Sequence, residues 1–176
     1  FSYVAPTTLE EAYGVLAQAD SPGKVRAIVG GTDLIDQVRT NRRTPSVVMD
    51  IKRIPEMNRL DWLPEDGLHL GAAVCCTDTA AFAAVKENYL ALQEACLLIG
   101  SIQIQNRASV AGNICNSAPS ADVVPGLMVH DARVVIVGPR GRREVALDEF
   151  FTGPSQNVLA PDEVLLMVMG LAAERG

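Results

Sequence analysis

The sequence predicts an α+β chain of two lobes: a small N-terminal α/β lobe, and a larger lobe in which helices cover a mainly antiparallel sheet. Three observations carry this. Helix and strand patterns alternate through residues 1–53, and paired short strands take over across 54–176. Two glycine-bearing segments, Val29-Gly30-Gly31-Thr32-Asp33 and Ser109-Val110-Ala111-Gly112-Asn113, then lie about eighty residues apart, each joining an apolar stretch to a polar turn.

Taken in order, Pro6-Thr7-Thr8-Leu9-Glu10-Glu11 reads as a helix start, with a threonine cap and a glutamate three residues on; the helix should run to about Gln18. Val25 to Val29 is a compact apolar strand ending in the glycine pair. Leu34, Ile35 and Val38 recur at helical spacing, and Ser46 to Asp50 is the next strand. Beyond Pro55, Arg59 to Trp62 and Leu68 to Gly71 flank the turn Pro64-Glu65-Asp66-Gly67, a hairpin pattern. Thr77 or Asp78 should cap a helix through Val85, Leu90 to Ile99 should form another, and Ser101 to Asn106 should be a connection. Arg133 to Val137 and Arg143 to Leu147 flank Gly138-Pro139-Arg140-Gly141, a second hairpin, and Val164 to Met169 is expected as the last strand.

Composition narrows the function. The net charge of −6 argues against nucleic acid, whose phosphates are bound by basic surfaces. No apolar run reaches the ~18 residues of a membrane span, and the N-terminus lacks the layout of a secretion signal, so a cytoplasmic protein is expected. The four cysteines, Cys75, Cys76, Cys96 and Cys115, form neither a CxxC unit nor a Cys/His cluster. They are expected to be reduced and mostly packed, although the adjacent Cys75 and Cys76 could still oxidise as a pair if exposed. His69 and His130 read as packing or surface residues. No metal site and no catalytic triad is encoded.

The glycine segments carry the chemistry. A glycine pair after a strand lets backbone N–H groups converge on an anion, and a helix starting there adds its positive end. Neither GxGxxG nor GxxxxGK[ST] is present, so this is not the Rossmann or the nucleoside-triphosphate arrangement. Ser109, Gly112, Asn113 and Asn116 add hydroxyl, amide and backbone donors in a second small-residue tract. Together the two segments suggest one site for a phosphate-bearing cofactor. Thr32 and Asp33 also suit a helix cap; Asp122 is either a carboxylate for sugar hydroxyls or the cap of a helix over Val123 to Val129. Arg39, Arg42 and Arg43 read as a solvated helix face or a docking patch.

The run Ile99-Gly100-Ser101-Ile102-Gln103-Ile104-Gln105-Asn106-Arg107-Ala108-Ser109-Val110-Ala111-Gly112-Asn113, followed by Asn116 to Asp122, closely resembles the FAD-binding segment of molybdenum-containing hydroxylases of the carbon monoxide dehydrogenase and xanthine dehydrogenase type. Val29-Gly30-Gly31-Thr32-Asp33-Leu34 is similar to the same family's first flavin loop, and Asp148 to Gly153 and Leu159 to Leu165 to its later segments. The resemblance implies a two-lobed FAD domain. Ala27, Ile28, Val29, Gly30, Gly31, Thr32, Asp33 and Leu34 would supply the first loop, and Ser109, Val110, Ala111, Gly112 and Asn113 the second. Asn116 and Asp122 would reach the ribityl or phosphate region, with Ile99 and Leu165 near the ring. Ala111 stands where a second glycine is usual, and Gln105 where arginine is frequent.

By the same resemblance this chain is the FAD-bearing relay of an oxidoreductase. Its molybdenum cofactor would lie on a large partner subunit and its 2Fe-2S clusters on a small one, in a heterotrimer or a dimer of heterotrimers. The family's further C-terminal domain is expected to be absent after Gly176. Two other readings remain: a stand-alone FAD-dependent reductase of the same broad fold, which needs a proton donor not evident here, and a noncatalytic interaction domain.

Overall fold

The computed structural model describes residues 1–19, 21 and 23–170. Its first sheet is wholly parallel, with β1 (Ser2–Val4) and β2 (Val25–Ile28) on either side of β3 (Val47–Asp50). Between β1 and β2 runs α1 (Leu9–Leu16), and between β2 and β3 runs α2 (Leu34–Arg39). α1 starts as its sequence predicts: Thr8 Oγ1 accepts from Glu11 N–H at 3.2 Å, and the Glu11 carboxylate accepts from Thr7 N–H at 2.7 Å. It ends at Leu16, slightly before Gln18, and buries Ala12 and Leu16. β1 has no clear sequence signal. It is three residues long and partly exposed, and it is held by parallel pairing to residues more than forty positions away.

The second sheet has five strands in the order β4 (Leu60–Leu63), β5 (Gly67–Gly71), β10 (Val164–Gly170), β6 (Arg133–Gly138), β7 (Gly141–Ala146), antiparallel throughout. The last strand in sequence is therefore central in space. Val164 to Val168 are all buried, which is what a strand covered on both faces needs. Its register against β6 shifts between Leu165 and Met167, a bulge close to the sheet end that faces the site described below. Before the sheet a 3₁₀ turn covers Pro55–Asn58; after β7 come α9 (Leu147–Phe150) and a ribbon of β8 (Phe151–Gly153) and β9 (Gln156–Asn157).

Helices α3 (Cys76–Ala81), α4 (Ala83–Asn88), α5 (Leu90–Leu98), α6 (Ile102–Gln105), α7 (Val110–Asn116) and α8 (Val123–Met128) lie between β5 and β6 in sequence. Their apolar faces join the sheet in one core containing Leu92, Cys96, Ile114, Leu127 and Val134. Fully buried Tyr89 ties the layers together: its hydroxyl accepts from Leu68 N–H at 3.0 Å and donates to the Gly170 carbonyl at 3.1 Å.

Several expectations are corrected. The helix expected from Thr77 or Asp78 to Val85 is two helices, because Phe82 takes an extended conformation and turns its ring onto the core. Its cap is Cys75, whose Sγ accepts from Asp78 N–H at 3.4 Å. The connection 101–106 contains α6, which follows Gly100 at φ +52°. The cysteines are packed as expected: Cys75 is half-buried and Cys76 is wholly buried. Both histidines pack. His69 is buried with Nε2 2.6 Å from Asp66, and the His130 ring lies 4.6 Å from that of Tyr89. Among the described residues no helix is long and apolar enough to cross a membrane.

Candidate functional site

A parallel sheet leaves its ligand crevice at the carboxyl ends of its strands, and here the chain leaves β2 directly into Val29-Gly30-Gly31-Thr32-Asp33. The two glycines do different work. A Cβ on Gly30 would lie 1.9 Å from the Arg107 carbonyl oxygen, so its absence lets the first segment rest backbone to backbone on the residues that lead into the second. Arg107 Nε closes the same contact by donating to the Gly30 carbonyl at 3.0 Å. Gly31 has φ +73°, a conformation that favours glycine, and it turns the chain into α2. Asp33 precedes α2 without a side-chain capping bond, so the capping alternative for Thr32 and Asp33 is not what the structure shows.

The second segment is not a loop. Ser109 is the N-cap of α7, its Oγ accepting from Gly112 N–H at 3.0 Å, and Val110 to Asn113 form the first helical turn. Ala111 lies inside this turn and needs no positive φ, so the usual glycine is dispensable there. A Cβ on Gly112 would meet only Ser109 Oγ, at 3.1 Å. Gln105 is buried and donates from Nε2 to the Leu97 carbonyl at 2.7 Å; it closes the end of α5 with a neutral group.

A cavity of about 780 Å³ lies between these segments, within the range of small-molecule sites, about 300–1,000 Å³. Its first wall is Ala27 to Leu34, and its second includes Ser109, Ala111, Gly112, Asn113 and Asn116. Ile99, Leu165, Ala72 and Ile104 give it apolar surface, while Asp122 and Ser120 add polar groups. Val110 is the exception among the residues expected here. Its side chain is fully buried in the core and does not line the cavity, whereas Ser109, Ala111, Gly112 and Asn113 around it do. Asp122 makes no capping bond to α8 and is exposed, so the capping alternative fails for it as well.

Sequence reading missed Arg26, Gln37 and Arg43, all in the cavity wall. Gln37 donates to Asn116 Oδ1 at 3.0 Å and accepts from Arg43 Nε at 2.6 Å, a chain of bonds between the two segments' neighbourhoods. No sequence signal links residues 79 positions apart, but the polar Gln37 on an otherwise apolar helical stripe was a visible anomaly. The three arginines 39, 42 and 43 do not form one helix face: Arg42 pairs with Asp36 at 2.6 Å in solvent, whereas Arg43 turns inward. The ribbon β8–β9 supplies Thr152, Gln156 and Asn157, and Asn157 Nδ2 donates to Ser117 Oγ at 2.9 Å. Cys115 also lines the cavity, and burial pushes its thiol up to about 12.

The donor set suits a ligand with charged, hydroxylated and flat apolar parts. Asn113 Oδ1 and Arg26 Nε are buried without a protein partner, each an orphan that costs about 1–3 kcal/mol unless something satisfies it. The family described as FAD binding domain in molybdopterin dehydrogenase matches residues 1–169. The chain belongs to this family. Among molybdopterin dehydrogenase relatives, the nicotinate dehydrogenase FAD-subunit of Eubacterium barkeri is 35% identical over 173 residues, covering 96% of this chain and 57% of the relative. The carbon monoxide dehydrogenase medium chain of Hydrogenophaga pseudoflava is 32% identical over 178 residues, covering 100% and 60%. The solved structure of carbon monoxide dehydrogenase from that organism superimposes with a TM-score of 0.93 at 30% identity, again over 100% and 60%. The chain thus spans somewhat more than half the length of these relatives, and the α+β architecture is that of the medium chain.

Proposed function

We propose that this chain is the FAD-holding part of the flavoprotein subunit of a molybdenum-containing hydroxylase or dehydrogenase, an oxidoreductase component that passes electrons from 2Fe-2S clusters to a terminal acceptor. The observation that carries it is the single cavity walled by both glycine-bearing segments, in a member of this family. FAD, when bound, supplies a centre that collects electrons singly and discharges them in pairs. The protein's part is to bind and orient. The first segment and the start of α7 would hold the diphosphate, with N–H groups of α7 and its positive end facing the charge. Asn116 and Asp122 would take hydroxyls of the ribityl or ribose groups, and a small rotation of Asn113 would turn its orphaned oxygen onto a ligand donor. Ile99 and Leu165 would offer the apolar surface for the ring. Lobes at 1–53 and 54–176 then meet at the ligand, as the two sheets suggest.

The molybdenum cofactor and the clusters belong on a large and a small partner subunit, in a cytoplasmic heterotrimer or its dimer. This agrees with the names of the relatives, a FAD-subunit and a medium chain. The test is purification of the natural complex. A bound flavin spectrum with molybdenum and iron–sulfur partners is the expected result. Absence of flavin and of saturable FAD binding would overturn it, and substrate turnover by the flavoprotein alone would favour a stand-alone reductase.

A further inference from the structure

Arg26, on β2 immediately before Ala27, and Arg43, between α2 and β3, both line the cavity half-buried. Neither takes part in an ion pair among the described residues, whereas Arg42, Arg140, Arg142 and Arg143 each have a carboxylate within reach. Glu163, the most buried acid of the cavity wall, is committed to Arg143 at 2.8 Å, and the exposed Asp33 and Asp122 bond to neither guanidinium. Arg43 is fixed through Nε by Gln37, which is itself held by Asn116, so the side chain is aimed while its terminal nitrogens keep their donors. Arg26 has an orphaned Nε; burial lowers its pKa, and the nearby charge of Arg43 lowers it further. Two unneutralised cations facing one cavity, in a chain of net charge −6, are an arrangement that is unfavourable until an anion enters. A guanidinium's planar fork matches phosphate oxygens two at a time.

We propose that Arg26 and Arg43 form a paired cation subsite that holds the phosphate-bearing part of the dinucleotide. It rests on the FAD reading above and adds two residues that the glycine segments do not include. Their charge reaches the wall where Cys115 and Asn116 lie, since Arg26 acts on the Cys115 thiol and Arg43 is tied through Gln37 to Asn116.

The test is titration of the full-length protein with FAD at two ionic strengths, with ADP and adenosine as competitors. The variants are R26Q, R43Q, the double change, and R39Q as a charge change on the exposed end of α2. The double variant should bind FAD and ADP about tenfold more weakly or worse, with a flattened salt dependence, while adenosine competes as before and R39Q stays like wild type. The ratio of ADP to adenosine competition is internal to each variant, so modest destabilisation does not obscure it. Unchanged FAD and ADP affinity in the double variant overturns the subsite and leaves the FAD reading standing. An equal loss for adenosine, or the same loss in R39Q, also overturns it, since packing or the general field would then be responsible. A wild-type protein that binds no FAD removes the FAD reading and the subsite together.

Discussion

The segments 29–33 and 109–113 look alike in sequence and are built in opposite ways. The first is a turn whose two glycines are needed for reasons of backbone geometry: Gly30 allows contact with the Arg107 carbonyl, and Gly31 adopts φ +73°. The second is the first turn of α7, capped by Ser109, in which Ala111 is at ease and a Cβ on Gly112 would meet only the side chain of its own cap, Ser109 Oγ at 3.1 Å. A glycine that joins two backbones is a structural residue. A glycine in a capped helix turn facing a cavity keeps room for something else. Glycine-rich composition therefore marks both walls of the site while saying nothing of which wall holds the fold and which leaves space for ligand.

Substitutions separate the two. Gly30→Val should have the largest effect, since backbone cannot yield as a side chain does: a loss above about 3 kcal/mol, seen as a fall in Tm of roughly 10 °C with loss of bound flavin. Gly112→Val should leave Tm within a few degrees, yet weaken FAD about tenfold in a titration followed by flavin fluorescence. Equal damage to stability from both would erase the contrast. Ser109→Ala removes a cap and should cost about 1 kcal/mol in denaturant unfolding, with Ser109→Thr largely restoring it.

The smallest effect is expected from a change that touches neither segment. The hydrogen bond from Arg143 holds the Glu163 pKa below its ordinary 4.5, against the upward push of burial. A depressed carboxylate stabilises the fold fully above its unfolded value, and the contribution is lost as pH falls through the lower folded value. Glu163→Gln should flatten the acid limb of stability below about pH 5; unfolding curves across pH check it.

What was legible in the sequence was local. The strand before Gly30, both hairpins and the helix after Thr8 follow from apolar periodicity, turn residues and a cap within a few positions of one another. The site was legible as two segments because glycine, serine and asparagine cluster there, and the family resemblance joined them. What stayed hidden depends on distant partners. β1 exists through pairing with β3, β10 is central through pairing on both edges, and the split at Phe82 follows from where its ring packs. That 109–113 is a capped helical turn was not legible either, and with it that the Val110 side chain goes to the core while Ala111, Gly112 and Asn113 line the cavity. Arg26 and Arg43 lay outside any glycine pattern, and only the folded wall brings them to the cavity.

The central claim is that both segments close on one FAD molecule. Amide hydrogen exchange of the protein, with and without saturating FAD, measures that directly. The account predicts that protection rises together at 29–33 and at 109–113, and in Gly112→Val falls at both in proportion to the lost affinity. Saturable FAD binding with protection at only one segment, or at neither, would contradict it.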